Sequence, residues 1–300
     1  MTKHVARDIS YSFSAQTKGG RAVIRALENA TGRLKLIKRA AGYQDAVARG
    51  EDFWQVMVQR YGLSLDVVGG SLNNVPSEGP LVMVANHPYG ILDGLTMGHI
   101  LSARRGGDFR ILANNVFRKA EDLDRVILPI SFDTSREAVA ENLNTRKVAL
   151  KYLDDGGAIG VFPGGTVSTA ARPFSAPMDP VWRSFTAKMI SKSGAQVLPV
   201  FFEGSNSRLF QVASHLHTTL RMALLIKEFK RRTDEPVRLC IGNPIPPEEL
   251  APFHQDAKGM MDFLRARTYA LSPEPLDAGT YGFEFEAKHK RADQDGSRDI

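Results

Sequence analysis

Asn86-His87-Pro88-Tyr89-Gly90-Ile91-Leu92-Asp93-Gly94 is the stretch of this chain best equipped for chemistry. It puts an imidazole and a carboxylate on one short connection. The connection follows an apolar run, Leu81-Val82-Met83-Val84-Ala85, that reads as a buried strand, and precedes Leu95 to Arg104, which reads as a helix. Open α/β sheets carry their chemistry at the carboxyl ends of strands. Pro88 biases His87 away from the helical region and keeps it extended at the strand end. Gly90 allows a tight turn. Asp93 falls at the start of the helix, where a carboxylate either caps free N–H groups or holds the imidazole of His87. An imidazole oriented by a carboxylate is a general base poised near neutral pH.

A second stretch bears on the first. The strand Ala158 to Phe162 runs into Pro163-Gly164-Gly165-Thr166-Val167-Ser168. Two glycines at a strand end leave backbone N–H groups open to an approaching anion or oxyanion. A Pro-Gly pair alone is an ordinary turn; on the same sheet as His87 and Asp93 it becomes a candidate partner for them.

The elements that must position these residues alternate. Strands are expected at 63–68, 81–85, 109–113, 126–131, 158–162, 196–202 and 237–241, and helices at 94–104, 116–123, 135–154, 181–192, 207–232 and 256–271. This alternation predicts an α/β fold with a mixed, largely parallel sheet flanked by helices. Residues 1–62 form a basic helical N-terminal segment, residues 63–272 the α/β domain, and residues 273–300, rich in charge, a mobile C-terminal tail in which Tyr281, Phe283 and Phe285 are the residues able to dock. In the first segment Arg21, Arg25, Arg33, Lys35, Lys38 and Arg39 interleave with Ile24, Leu27, Leu34, Leu36 and Ile37. The pattern suits a helix packed by its apolar stripe and an interfacial helix on anionic lipid equally well. The stretch 207–232 is expected as one long helix, apolar from Leu220 to Ile226 apart from Arg221.

Composition narrows the classes. The 300 residues are 43% apolar and 24% charged, ordinary for a chain with a real core. Cys240 is the single cysteine, so no intramolecular disulfide forms, and its apolar surroundings read as a buried structural thiol. Met1 to Gln16 lacks the apolar core of a signal peptide, and no uninterrupted apolar run approaches the roughly 18 residues of a membrane span. A protein cytoplasmic or peripheral to a membrane is expected. A net charge of +6 suits anionic partners: a membrane surface, an acidic carrier protein or nucleic acid. With no zinc-finger spacing and no RNA-binding aromatic motif, nucleic acid is not expected.

Together, His87…Asp93, Phe162-Pro163-Gly164-Gly165-Thr166-Val167-Ser168 and the later Val197-Leu198-Pro199-Val200 resemble the blocks of the lysophosphatidic-acid (glycerolipid) acyltransferase superfamily. That superfamily has a histidine, four residues and an aspartate, then a Phe-Pro-Glu-Gly-Thr-Arg-Ser signature, then a proline-centred strand. The resemblance covers roughly residues 63–245. The gap from His87 to Asp93 is one residue longer than the family pattern, and Asn-His-Pro-x-Gly-x-x-Asp-Gly looks like the hemolysin-related branch, which includes O-acyltransferases of bacterial ornithine lipids and similar aminolipids. The signature's glutamate is Gly164 here and its arginine is Val167, and Ala113-Asn114-Asn115 lacks a lysine often found there. Arginine is the natural bidentate phosphate partner, and valine cannot replace it.

The resemblance implies transfer of a fatty acyl group from an acyl thioester, on acyl carrier protein or coenzyme A, to the hydroxyl of a lyso-lipid acceptor. His87 would be the base and Asp93 its orienter. Gly164 and Gly165 would offer oxyanion donors. Asn86, Asn114, Thr166 and Ser168 are placed among the substrate contacts; Asn86 suits bracing the loop and a simple turn role equally, and Thr166 and Ser168 suit touching the acceptor or capping the following segment. Arg172 or Arg208 could grip phosphate. The missing grips at Gly164 and Val167 favour a lyso-aminolipid such as lyso-ornithine lipid; the alternatives are lysophosphatidate and a non-catalytic lipid-binding protein. No metal or cofactor is implied beyond the thioester co-substrate, and the implied location is the cytoplasmic face of the inner membrane. Two rival chemistries are weak: Gly204-Ser205-Asn206-Ser207 is not a nucleophile elbow, and His215 and His217 have no acidic partner at ligand spacing.

Overall fold

The structure is a computed structural model that describes residues 10–15, 17–114, 121–131 and 135–285. Seven strands form the main sheet: β1 (Ser64–Gly70), β2 (Leu81–Ala85), β3 (Arg110–Asn114), β4 (Ile127–Ile130), β5 (Ala158–Val161), β8 (Gln196–Phe202) and β9 (Pro236–Ile241). A two-stranded hairpin, β6 (Thr169–Ala170) with β7 (Pro177–Met178), stands apart. The order across the main sheet is β1-β9-β8-β2-β5-β3-β4. The five strands from β8 to β4 run parallel, and β9 turns antiparallel to β8 while pairing parallel with β1. The expected mixed, largely parallel sheet is what forms.

β2 is buried along its whole length because both of its faces are covered, which is why it reads as an unbroken apolar run. Leu81, Met83 and Ala85 enter one core with Trp54, Met57 and Leu92, whereas Val82 and Val84 enter the other with Trp182, Ile190 and Leu264. The first core is closed by α1 (Lys18–Thr31) to α4 (Phe53–Arg60), by α5 (Ile91–Arg104) and by α10 (Thr218–Arg231), with α2 (Arg33–Ala40) and α3 (Tyr43–Ala48) between the first two. The second is closed by α7 (Arg136–Asp154), α8 (Ser184–Ser193) and α12 (Ala257–Tyr269). Short helices α6 (Glu121–Asp124) and α11 (Pro247–Leu250) and the helix α9 (Arg208–Leu216) complete the set.

Three expectations change. The single helix over 207–232 is two, broken at His217, whose backbone is extended and whose Nδ1 accepts the Thr219 N–H to cap the second piece. The basic N-terminal segment is built into the domain: Ile24 and Leu36 are fully buried, while Val23, Leu27 and Leu34 on the same helices stay exposed. The tail expected from 273 docks in its first part. Gly282 N–H donates to the Asp179 carbonyl, Phe283 N–H to the Thr169 carbonyl, and Glu284 takes both arms of Arg183 at 2.8 and 3.0 Å. Aromatic and charged side chains at 281, 283, 284 and 285 outweigh the polar composition around them; residues 286–300, like the 116–120 part of one expected helix, lie outside the described residues. Cys240 is buried as expected, and burial pushes its thiol up.

Candidate active site

β2 lies between β5 and β8, parallel to both. The loops that leave β2 and β5 therefore emerge side by side at one end of the sheet, which places His87 against the Pro163-Gly164-Gly165 turn. The backbone ties them: Ser168 N–H donates to the His87 carbonyl at 2.8 Å. The His87 ring stacks on Phe162, with centroids 4.1 Å apart.

Asp93 does both jobs open to it from sequence. It is the third residue of α5, and its Oδ2 accepts N–H groups of Tyr89 at 2.8 Å and Gly90 at 3.0 Å, which caps the helix start. The same oxygen lies 2.9 Å from Nδ1 of His87. The approach lacks the alignment of a regular hydrogen bond. Gly90 makes the shared oxygen possible. Its φ of 90° folds the loop back on Asp93, and a Cβ there would meet the Tyr11 hydroxyl and Val167 at 3.3 Å. Asp93 is fully buried, and burial holds its carboxyl above the usual carboxylate range, opposed by His87 and the two amides. A proton on Nδ1 facing this carboxylate leaves Nε2 as the basic nitrogen. Nε2 has no hydrogen-bond partner among the described residues, and the ring borders a cavity.

That cavity encloses about 570 Å³. Trp54, Met57, Leu95, Ile111, Ile127 and Phe185 give it a long apolar wall, and Asn114, Gly165, Thr166 and Arg221 supply polar groups. A mostly apolar space with a few converging polar groups beside an imidazole is the form of a small-molecule site.

The sequence-derived residues separate cleanly. His87, Gly165, Thr166 and Asn114 border the cavity. Asn86 is a brace, not a substrate contact: its amide donates to the Phe202 carbonyl and accepts the Phe202 N–H, at 2.9 and 2.7 Å, fastening β2 to β8 where His87 leaves the sheet. Ser168 is likewise turned away, donating at 2.5 Å to Oδ1 of Asp179. Arg172 and Arg208 are exposed and border no part of the cavity. The N–H of Gly165 donates to the Phe162 carbonyl to close the turn, so it is not an open oxyanion donor. The N–H groups of Gly164 and Thr166 make no hydrogen bond among the described residues.

Two residues that sequence reasoning passed over complete the site. Asp179 is fully buried; it accepts the His87 backbone N–H at 3.1 Å, the Ser168 hydroxyl and the Trp182 indole N–H at 2.9 Å. Its Cβ and Cγ sit 3.3 Å from where a side chain at Gly164 would begin, so any side chain at 164 would press on this carboxylate. Arg221, from the first turn of α10, donates to the Val167 carbonyl at 2.9 Å and the Thr166 hydroxyl at 3.0 Å. Only the oddity of one charge inside an apolar helical run pointed to it. The rival chemistries find no support: Ser207 caps α9 and is held by Glu228, and His215 meets the Ala170 carbonyl and Phe283. Among the described residues no group of three His, Cys, Asp or Glu side chains is placed to hold a metal.

A family model described as "Acyltransferase" matches residues 48–279. The chain belongs to this acyltransferase family, within the lysophospholipid acyltransferase superfamily. It is 28% identical over 204 residues to the lyso-glycine lipid O-acyltransferase of Phocaeicola vulgatus, an alignment spanning 66% of this chain and 70% of that one. It is 27% identical to the lyso-glycine lipid O-acyltransferase of Bacteroides thetaiotaomicron, over 66% and 71%. Among solved structures it is similar to the 1-acyl-sn-glycerophosphate acyltransferase PlsC of Thermotoga maritima, with a TM-score of 0.45, 18% identity, and coverage of 89% and 87%.

Proposed function

We propose that this acyltransferase moves a fatty acyl group from an acyl thioester to the hydroxyl of a lyso-lipid with an amino-acid head group, a lyso-aminolipid of the kind named by its relatives or lyso-ornithine lipid. The observation that carries this reading is a His87–Asp93 pair opening, through Nε2, onto a large cavity with an apolar wall. Nε2 takes the acceptor hydroxyl proton as the oxygen attacks the thioester carbonyl. Asp93 holds the ring tautomer and stabilises the imidazolium. The tetrahedral intermediate then collapses, the thiolate leaves, and His87 returns the proton to it. The acceptor is itself the nucleophile, so no covalent enzyme intermediate and no cofactor is required. The free amide of Thr166, on the cavity wall, is the candidate to meet the developing oxyanion, where one such donor is worth about 3–4 kcal/mol. The apolar wall suits a fatty chain.

The donor is acyl carrier protein or coenzyme A; the net charge of +6 favours the acidic carrier protein. The same charge suits the anionic cytoplasmic leaflet of the inner membrane. No helix among the described residues is long and apolar enough to cross a membrane. Val23, Leu27 and Leu34, exposed among basic residues, with Leu216 and Leu220 exposed on helices α9 and α10, offer a peripheral docking face. The test is acyl transfer from long-chain acyl carrier protein, and separately from acyl-coenzyme A, to lyso-glycine lipid, lyso-ornithine lipid and lysophosphatidate, read by mass spectrometry. Preference for the aminolipids is expected. Equal or better use of lysophosphatidate would reject the head-group assignment, and transfer to none of them would reject the reaction.

A further inference from the structure

Arg221 is 3% exposed yet borders the cavity that His87 borders. Its four terminal N–H bonds all go to neutral oxygens: Thr169 and Ser214 hydroxyls from one nitrogen, the Thr166 hydroxyl and Val167 carbonyl from the other. The faces of Phe210 and Phe285 lie 5.0 and 4.2 Å from the guanidinium carbon. No carboxylate pairs with it among the described residues, and its Nε–H makes no hydrogen bond there. Burial lowers its pKa to about 9, which leaves it a cation at neutral pH. Buried charges are ordinarily paired, because desolvation without a counter-ion is costly. A lone cation on the wall of a substrate cavity has its counter-ion missing.

We infer that Arg221 is the head-group reader of this enzyme: with the hydroxyl of Thr166 it binds the free carboxylate of an N-(hydroxyacyl) amino acid and selects a head group of single negative charge. This rests on the lyso-aminolipid reading above and narrows it. The rest of the wall sets the charge. Arg183, the other arginine there, is taken by both oxygens of buried Glu284. One unmatched positive charge fits a carboxylate; a phosphate monoester carries about −1.5 to −2 and would remain partly unmatched. Among the described residues no aspartate or glutamate borders the cavity, so the side-chain ammonium of an ornithine head group has no partner there. A glycine-like head group needs none. The distance from reader to base is bridged by a short frame, since Val167 carries the carbonyl on Arg221 and the next residue, Ser168, is bonded to the backbone of His87. Thr166 accepts from Arg221 and keeps its own proton to give, since it makes no other hydrogen bond among the described residues.

The test compares N-(3-hydroxyacyl)glycine with its uncharged primary amide as acceptors, using saturating acyl carrier protein thioester. Wild-type enzyme is expected to prefer the acid about 10- to 100-fold in kcat/KM, the worth of one hydrogen-bonded charge pair. N-(3-hydroxyacyl)ornithine is expected to fall between them. Arg221→Gln should bring the acid-to-amide ratio close to one, through a loss of kcat/KM with the acid that exceeds any loss with the amide by about the same 10- to 100-fold. Equal use of acid and amide by the wild-type enzyme overturns the inference, whether or not the variant folds. So does a variant that loses both acceptors alike, which makes Arg221 a packing residue. A variant that keeps the acid preference but needs more donor assigns the guanidinium to the donor's phosphate and also overturns it. Failure of the underlying reading looks different: no transfer to any hydroxyacyl acceptor.

Discussion

Two buried carboxylates hold His87, and they do different work. Asp179 is filled by neutral donors, the backbone N–H of His87, the hydroxyl of Ser168 and the indole of Trp182, with its own N–H given to the Tyr269 hydroxyl. It fixes where the chain runs. Asp93 touches the ring itself, and it keeps Oδ1 buried without a partner. An acceptor with spare capacity, held above its usual pKa by burial, can respond when a positive charge develops on the imidazole; a saturated one cannot. The site thus separates a responsive carboxylate on the ring from a structural one on the backbone.

The comparison breaks if the two aspartates prove interchangeable. Asp93→Asn is the most damaging change after loss of the base itself: the amide keeps the size and still accepts a backbone N–H but cannot balance an imidazolium, so kcat is expected to fall about 10²–10⁴-fold. Stability should move the other way. Because burial raises the carboxyl of Asp93, the native state binds the proton more tightly than the unfolded chain, and its contribution falls as pH rises from the ordinary carboxylate range. Thermal denaturation of Asp93→Asn against wild type should therefore show a Tm equal or higher at neutral pH, with the gap narrowing in acid.

Asp179→Asn should show the reverse balance. It breaks a buried network shared by two loops, at about 1–3 kcal/mol for each donor left unpaired, so a lowered Tm with a smaller loss of turnover is expected. A Tm drop for Asp93→Asn and none for Asp179→Asn would invert the assignment. Ser168→Ala removes one of three donors to Asp179 and should cost about 1 kcal/mol of stability, read by denaturant titration, with KM for the acceptor unchanged. Arg172→Ala, on the exposed hairpin connection, should change neither; a raised acceptor KM there would restore the phosphate grip that sequence suggested.

Much of this was legible in the sequence because it is local. The apolar run 81–85, the Pro88 and Gly90 signals and the position of Asp93 fix a strand, a turn and a helix start within thirteen residues, and parallel packing of β2 on β5 then brings in the 163–168 loop without further information. What failed was partner choice across long separations. Asn86 and Ser168 are polar residues beside His87 and its loop, but their partners are Phe202 and Asp179, so they brace the site. Gly164 and Val167, where the family signature carries glutamate and arginine, looked like simple losses. In space the carboxylate of Asp179 fills the room beside Gly164, and the guanidinium of Arg221 meets the carbonyl of Val167. No local pattern announces a side chain delivered from another element. The break at His217 was hidden for a related reason, since a histidine caps a helix only through its conformation in place.

The most direct measurement is single-turnover acyl transfer from long-chain acyl carrier protein to an N-(3-hydroxyacyl) amino acid by wild-type enzyme and His87→Ala, with folding of both confirmed by thermal denaturation. Loss of at least about 10²–10⁴ in rate with the fold intact is the expected result. Near-normal transfer by His87→Ala would contradict the account, and the base would have to be sought elsewhere on the cavity wall.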